Sequence, residues 1–352
     1  MKIRGKHILI FLISALATFL FACNTSTTLS TTTTPPLSTT ADPIDAILDD
    51  AAEIESIYNI LISKDGELIK ERYYDGYQTQ TSHNNVYSVT KSVTSLLLGI
   101  AIDKGYIDSV DQSIGDFIDL SSYDNSEELA EIKIWHLLTM SAGLNWDSGN
   151  LSGEITRLRT ANDPLMLILG RDIDFTPGTS FNYSDGEAHL VSIIITEATG
   201  MSTLDFANTY LFGPLGIEIA LWGTDRMDYE IGGCDLYLSG RDMIKIGLLV
   251  LNGGMYDDTQ IVSSGWIELS TADHTSIFSS ADYGYFWWLS EIAGHTLISA
   301  RGWGGQQIYI VPDYDLVITT SANGWLSDSD AASQFSSLQY IVTSRLIPCF
   351  VE

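Results

Sequence analysis

Tyr58-Asn59-Ile60-Leu61-Ile62 and Glu67-Leu68-Ile69-Lys70-Glu71-Arg72-Tyr73 stand on either side of Lys64-Asp65-Gly66. Two β-rich runs joined across Asp-Gly predict a hairpin, because that pair tolerates the left-handed backbone a tight turn needs. Just before it, Ile44, Ile47, Leu48, Ala51, Ile54 and Ile57 recur at helical spacing, so Asp42 to Tyr58 reads as an opening helix. Strand signals return only near the other end: Tyr283 to Ser290, His295 to Ser299, Gln307 to Val311 and Leu316 to Ser321, with Pro312-Asp313-Tyr314-Asp315 as a turn. A last helix is expected over Ala331 to Arg345. Between the two β-rich ends, from Asp108 to about Asn252, the chain reads as helices and loops; Leu190 to Ala198 and Met243 to Val250 are examples. The economical arrangement is an α/β (α+β) fold. One antiparallel sheet is built from both chain ends and flanked by helices, with a mainly helical domain inserted at about 106–250.

Composition narrows the functional class. The net charge of −28, with 17 basic against 45 acidic residues, argues against nucleic acid as a partner. Lys2, Arg4 and Lys6 precede an apolar run, Ile8 to Phe21, that is short for a membrane span, so residues 1–22 read as an export signal. Leu20-Phe21-Ala22-Cys23 resembles a bacterial lipobox, which implies lipidation of Cys23 and an exported, membrane-anchored protein at the periplasm or cell surface. Ordinary cleavage and an uncleaved anchor are the alternatives, since Phe21 is bulky for that site. Residues 23–42 are dominated by Ser, Thr and Pro and form a tether, and the folded domain is expected over 43–350. Cys234 and Cys349 remain; an oxidising compartment permits a disulfide between them, and two free thiols are the other outcome. No paired Cys/His cluster or His-Glu-x-x-His occurs, so neither a catalytic metal nor another cofactor is expected.

Ser88-Val89-Thr90-Lys91 opens a helix candidate that runs to Lys104 and has an apolar centre. Residues three apart share a helix face, so an ammonium at Lys91 can sit beside the Ser88 hydroxyl. A hydroxyl attacks a carbonyl only when a neighbour takes its proton, and a desolvated amine can do so. Of the eight lysines only Lys91 has Ser three residues before it, and burying a cation in an apolar helix without a role would be costly. A second polar-aromatic element, Phe181-Asn182-Tyr183-Ser184-Asp185, follows a Pro177-Gly178 turn; a third, Arg301-Gly302-Trp303-Gly304-Gly305-Gln306, precedes a strand.

In this order the three elements resemble the serine β-lactamase and penicillin-binding-protein superfamily, and within it the class C β-lactamase-related hydrolases: esterases, D-amino peptidases and nylon-oligomer hydrolases. Trp135-His136-Leu137-Leu138-Thr139-Met140-Ser141-Ala142-Gly143-Leu144, Gly232-Gly233, Ser239-Gly240-Arg241-Asp242-Met243 and Tyr283-Gly284-Tyr285-Phe286-Trp287-Trp288 carry the likeness along the chain. The resemblance implies Ser88 as nucleophile, with Lys91 and Tyr183 sharing the acid and base work. It implies an oxyanion hole from the backbone N–H groups of Ser88 and Gln306, and substrate contacts from Asp185, Trp303, Gly304 and Gly305. His136 falls at a structural position. Two departures favour a neutral small ester or amide. Asp185 stands where the family carries Asn, and Trp303 stands where it carries the Lys of Lys-Thr-Gly, with Arg301 as a conceivable substitute cation. Trp303, Trp287 and Trp146 are candidates for an apolar acyl pocket or for ordinary core. The rivals are a β-lactamase or D,D-peptidase acting on cell-wall peptides, and a non-catalytic protein that binds peptidoglycan or penicillin. A Ser-His-Asp α/β-hydrolase is disfavoured because no Gly-x-Ser-x-Gly occurs.

Overall fold

The computed structural model describes residues 42–351 except 75, 77, 219–220, 277–278 and 280–281. The export signal, Cys23 and nearly all of the Ser/Thr/Pro tract lie outside the described residues. Eleven strands run through the described chain: β1 Ile57–Lys64, β2 Glu67–Tyr73, β3 Asn84–Asn85, β4 Leu221–Trp222, β5 Leu236–Leu238, β6 Met255–Tyr256, β7 Thr259–Gln260, β8 Trp288–Ile292, β9 His295–Gly302, β10 Gln306–Val311 and β11 Leu316–Ala322. The α-helices are α1 Pro43–Asp50, α2 Val89–Asp103, α3 Ser126–Ala130, α4 Ile134–Leu138, α5 Leu151–Thr160 and α6 Pro164–Leu169. They continue with α7 Asp185–Thr199, α8 Thr203–Ala207, α9 Gly240–Leu251, α10 Ser264–Ser270 and α11 Asp328–Ile341.

The hairpin forms as read. Asp65 and Gly66 take φ of 53° and 81°, the left-handed pair that joins β1 to β2. The two chain ends then meet: β1 pairs antiparallel with β11, completing a six-stranded sheet in the order β2-β1-β11-β10-β9-β8. Strand alternation sends the side chains of β1 into two cores. Ile60 and Ile62 pack with Tyr309, Ile318 and Leu338 on the α1/α11 side. Leu61 joins the larger core of Val89, Val93 and Leu96 from α2, with Met243 and Ile246 from α9. A sheet covered on both faces needs apolar residues at successive positions, hence the unbroken run Ile60-Leu61-Ile62.

Three expectations shift. The opening helix stops at Asp50, followed by a 3-10 turn over Ala51–Glu53, and Ile57 and Tyr58 belong to β1. Pairing with β11 and β2 outweighs the helical spacing of Ile54 and Ile57. The strand expected from Tyr283 begins only at Trp288. Phe286 has φ 64°, and the backbone N–H groups of Tyr285 and Phe286 donate to Ser270 and Leu138 instead of a ladder. The last helix begins three residues early because Ser327 caps it, its hydroxyl accepting from the Asp330 N–H.

α2 is buried all round from Val89 to Ala101, between the sheet and the helices α7 and α10. Its N-terminus therefore opens deep in the molecule. A small antiparallel sheet, β3-β5-β4, which the sequence did not announce, stands beside that end.

Candidate active site

Ser88 occupies the position just before α2, with helical φ of −68°, and its hydroxyl makes no capping bond. Tyr87 before it is held at φ 47°, and Asn85 accepts the Tyr87 N–H at 2.8 Å. An aromatic residue in the left-handed region is a strained conformation of the kind found at functional sites. Val89 and Thr90 donate to the carbonyls of Val86 and Tyr87, which closes the turn and leaves the Ser88 N–H at the helix mouth.

Lys91 lies one turn on, 1% exposed. Its ammonium donates to Ser88 Oγ at 3.1 Å, to Asp185 Oδ1 at 2.5 Å and to the Gly233 carbonyl at 2.8 Å. All three N–H bonds are used. Burial works to lower the Lys91 pKa, but the Asp185 carboxylate and the Tyr183 phenol outweigh it and hold the ammonium above the ordinary lysine range. The resting lysine is thus a charged donor with no lone pair to offer. The Tyr183 ring lies over it, 4.8 Å from the Nζ, and stacks on Trp288 at 5.9 Å. Tyr183 is held there by its neighbours: the Asn182 N–H donates to the Met140 carbonyl at 2.8 Å, and Ser184 caps α7 by accepting from the Glu187 N–H at 3.1 Å. The Tyr183 hydroxyl makes no hydrogen bond among the described residues.

Asp185, expected to contact substrate, lies in the cavity wall with one carboxylate oxygen on Lys91. Its charge is therefore matched within the protein. Glu187, two residues on, is fully buried, and burial raises its pKa well above the usual carboxylate range; it accepts the Ala142 N–H at 3.2 Å.

The Gly-rich element divides in two. Trp303 lines the cavity, its indole N–H donating to the Gly324 carbonyl at 3.2 Å. Gly304 and Gly305, expected at the substrate, turn toward α11 instead. A Cβ on Gly305 would stand 2.4 Å from Leu338 Cδ1, and the Gly304 carbonyl accepts from Gln334 Nε2. The glycines serve the turn and the approach of α11, with φ of 71° and 103°. Gln306 opens β10 opposite Gly302, and its buried side chain is used internally, on Ala322 and Ser321. Only its backbone is left for the site. Gly302 brings that backbone close to the nucleophile, because a Cβ there would meet the Val86 carbonyl at 2.4 Å.

Other candidates fall elsewhere. Trp287 and Trp146 are core residues, 0% and 4% exposed. Arg301 lies over the Trp288 ring at 5.4 Å, with Nε donating to Ser299 Oγ, and is not in the cavity wall. His136 is structural: its Nδ1 accepts the Lys133 N–H at 2.9 Å, and burial lowers its pKa to about 4, which leaves it neutral. Cys234 is buried and Cys349 exposed, and both are free thiols.

The cavity above Ser88 measures about 830 Å³. Sequence reasoning missed much of its wall. Arg159 on α5 makes a two-pronged ion pair with Asp235, at 2.6 and 2.5 Å, and Asn85 donates to the same carboxylate at 2.8 Å. These residues are up to 150 positions apart in sequence, so no local spacing could have paired them. Leu221, Tyr237 and Trp325 also line the cavity.

The sequence pattern of the Beta-lactamase family matches residues 44–340. The 6-aminohexanoate-dimer hydrolase of Paenarthrobacter ureafaciens is 24% identical over 286 residues, 73% of this chain and 70% of the relative. A Bacillus anthracis structure assigned as a 6-aminohexanoate-dimer hydrolase superposes with a TM-score of 0.71 at 21% identity, covering 87% of this chain and 82% of that one. EstCE1, a hydrolase with promiscuous acyltransferase activity, superposes with a TM-score of 0.65 at 16% identity, covering 84% and 97%. The structural likenesses establish the fold, and the pattern match extends over most of the domain: this chain belongs to the Beta-lactamase family.

Proposed function

We propose that the protein is a serine hydrolase that cleaves neutral ester or amide bonds through an acyl-enzyme on Ser88. The observation that carries this reading is the Lys91 ammonium, buried and donating to the Ser88 hydroxyl at the floor of the cavity. A cation so placed stabilises the alkoxide character that develops on Oγ as it attacks. With its three N–H bonds engaged, Lys91 acts as an electrostatic anchor, and in this reading Tyr183 works in its phenolate form and takes the proton of Ser88. The Tyr183 ring lies over the ammonium, 4.8 Å from its Nζ.

Attack forms the bond from Ser88 Oγ to the carbonyl carbon and places the negative charge on the carbonyl oxygen. The N–H groups of Ser88 and Gln306 are the donors for it in this reading. Collapse breaks the bond to the leaving group, which takes its proton from Tyr183. Water then enters by the same steps in reverse and releases the acid. The hydrolase names of two relatives, a 6-aminohexanoate-dimer hydrolase and a hydrolase with promiscuous acyltransferase activity, support the reaction class. Trp303 in place of a cation supports neutral substrates over β-lactams, which carry a carboxylate.

The test is turnover of p-nitrophenyl acetate and butyrate beside a chromogenic cephalosporin. Ester hydrolysis that disappears in Ser88→Ala, with little cephalosporin cleavage, is expected; undiminished ester turnover by a folded Ser88→Ala protein overturns the reading. Efficient cephalosporin cleavage would put the β-lactamase reading first.

A further inference from the structure

The cavity extends from Ser88 to an apolar mouth that catalysis alone does not require. Trp325, in the link between β11 and α11, is 83% exposed, more than any other large apolar side chain among the described residues. Leu221 on β4 is 59% exposed and lines the same cavity. Leu151 and Ile155, one turn apart on α5 and half-buried, line the same cavity beside these two exposed side chains. Exposed apolar side chains gathered around one opening mark a binding surface.

The wall behind them is built for close contact. A Cβ on Gly324 would stand 2.3 Å from the Tyr87 ring, so only glycine lets Tyr87 and the Trp303 indole bond converge on that loop. The charges in the wall cancel. Lys91 is matched by Asp185, and Arg159 by Asp235 with Asn85 as a further donor. The remaining charged group is Asp328, exposed at the rim. A ligand carboxylate would meet no unpaired cation there and one repelling carboxylate. The volume of about 830 Å³ lies at the upper end of small-molecule sites, far beyond what an acetyl group fills.

We infer that the mouth formed by Trp325, Leu221, Leu151 and Ile155 binds an uncharged apolar arm of the substrate, a hydrocarbon chain carried several carbons away from the scissile carbonyl. The inference names the substrate class for the Ser88 reading and rests on it. Burial of each methylene in such a groove is worth roughly a fourfold gain in affinity, so selectivity should grow steadily with chain length.

The experiment separates binding from catalysis. The Ser88→Ala protein is titrated with octanamide, octanoate and acetamide, followed by intrinsic tryptophan fluorescence and by calorimetry. Octanamide should bind at least about tenfold more tightly than octanoate, with acetamide weaker still. Trp325→Ala in the same background should weaken octanamide by about fivefold or more, and Trp325→Phe should restore most of it. In the active enzyme the ratio of kcat/KM for p-nitrophenyl octanoate over acetate should fall in Trp325→Ala by a similar factor. Equal binding of octanamide and octanoate overturns the inference. So does octanamide binding that ignores the loss of Trp325, the result expected if another protein or a lipid surface covers that side chain. Failure of the nucleophile reading would show differently, as ester turnover persisting in Ser88→Ala.

Discussion

At the scale of single residues, the site turns on the replacement of Asn by Asp at position 185. The carboxylate that counted in the sequence as a departure favouring neutral substrates is spent on Lys91, at 2.5 Å and buried. The pair holds the lysine as an ammonium, and in the proposed mechanism this leaves the base role to Tyr183. Because the folded-state pKa of Lys91 is raised, its contribution to stability is complete below about pH 10, the unfolded lysine value, and is lost only as pH climbs through the folded value. In Asp185→Asn the cation stays buried without its counter-charge, at a cost of about 3–5 kcal/mol near neutral pH. Burial then depresses the Lys91 pKa, so the unfolded state binds the extra proton and the variant regains stability as pH rises toward 10. Denaturant melts of both proteins between pH 7 and 10 should show the gap narrowing. A constant gap would mean the pair is not linked to the lysine proton.

At the scale of elements, the chemistry depends on where two helices begin. α2 starts at the nucleophile and α7 starts at Asp185, with Ser184 as its cap. Removing that cap in Ser184→Ala should cost about 1 kcal/mol, seen as a modest fall in Tm. Because Asp185 is the first residue of that helix, kcat should fall further than KM changes. Both effects absent would show that the Tyr183-Ser184-Asp185 segment is held by the Met140 contacts alone. The hairpin, α2 and the Ser-x-x-Lys spacing were all legible because each is set by residues within a few positions of one another. The end of α1 and the start of β8 were not. There, the deciding hydrogen bonds go to β11, Ser270 and Leu138, and nothing in the local sequence encodes those partners.

At the scale of the whole molecule, the acidic surplus of 28 charges would keep an exported protein of this kind dispersed beside an anionic surface. In our reading Cys23 carries the lipid that keeps it there, with the Ser/Thr/Pro tract as spacer. Fractionation of cells producing Cys23→Ser should move the protein from the membrane pellet to the soluble exported fraction with its esterase activity intact. Retention in the pellet would point instead to an uncleaved apolar leader.

The sequence by itself determined the sheet built from both ends, the buried helix that carries Ser88 and Lys91, and the membership that the order of its motifs announced. The sheet and the helix rest on periodicity, turn chemistry and spacing within short windows, and the membership on the likeness of several motifs to those of a known family. Tertiary structure alone decided what the wall of the site is made of. The Arg159–Asp235 pair, the turning of Gly304 and Gly305 onto α11, and the gathering of Trp325, Leu221 and Tyr87 around one opening each join distant segments. Close packing of a large core, rather than any local preference, sets which of those segments meet.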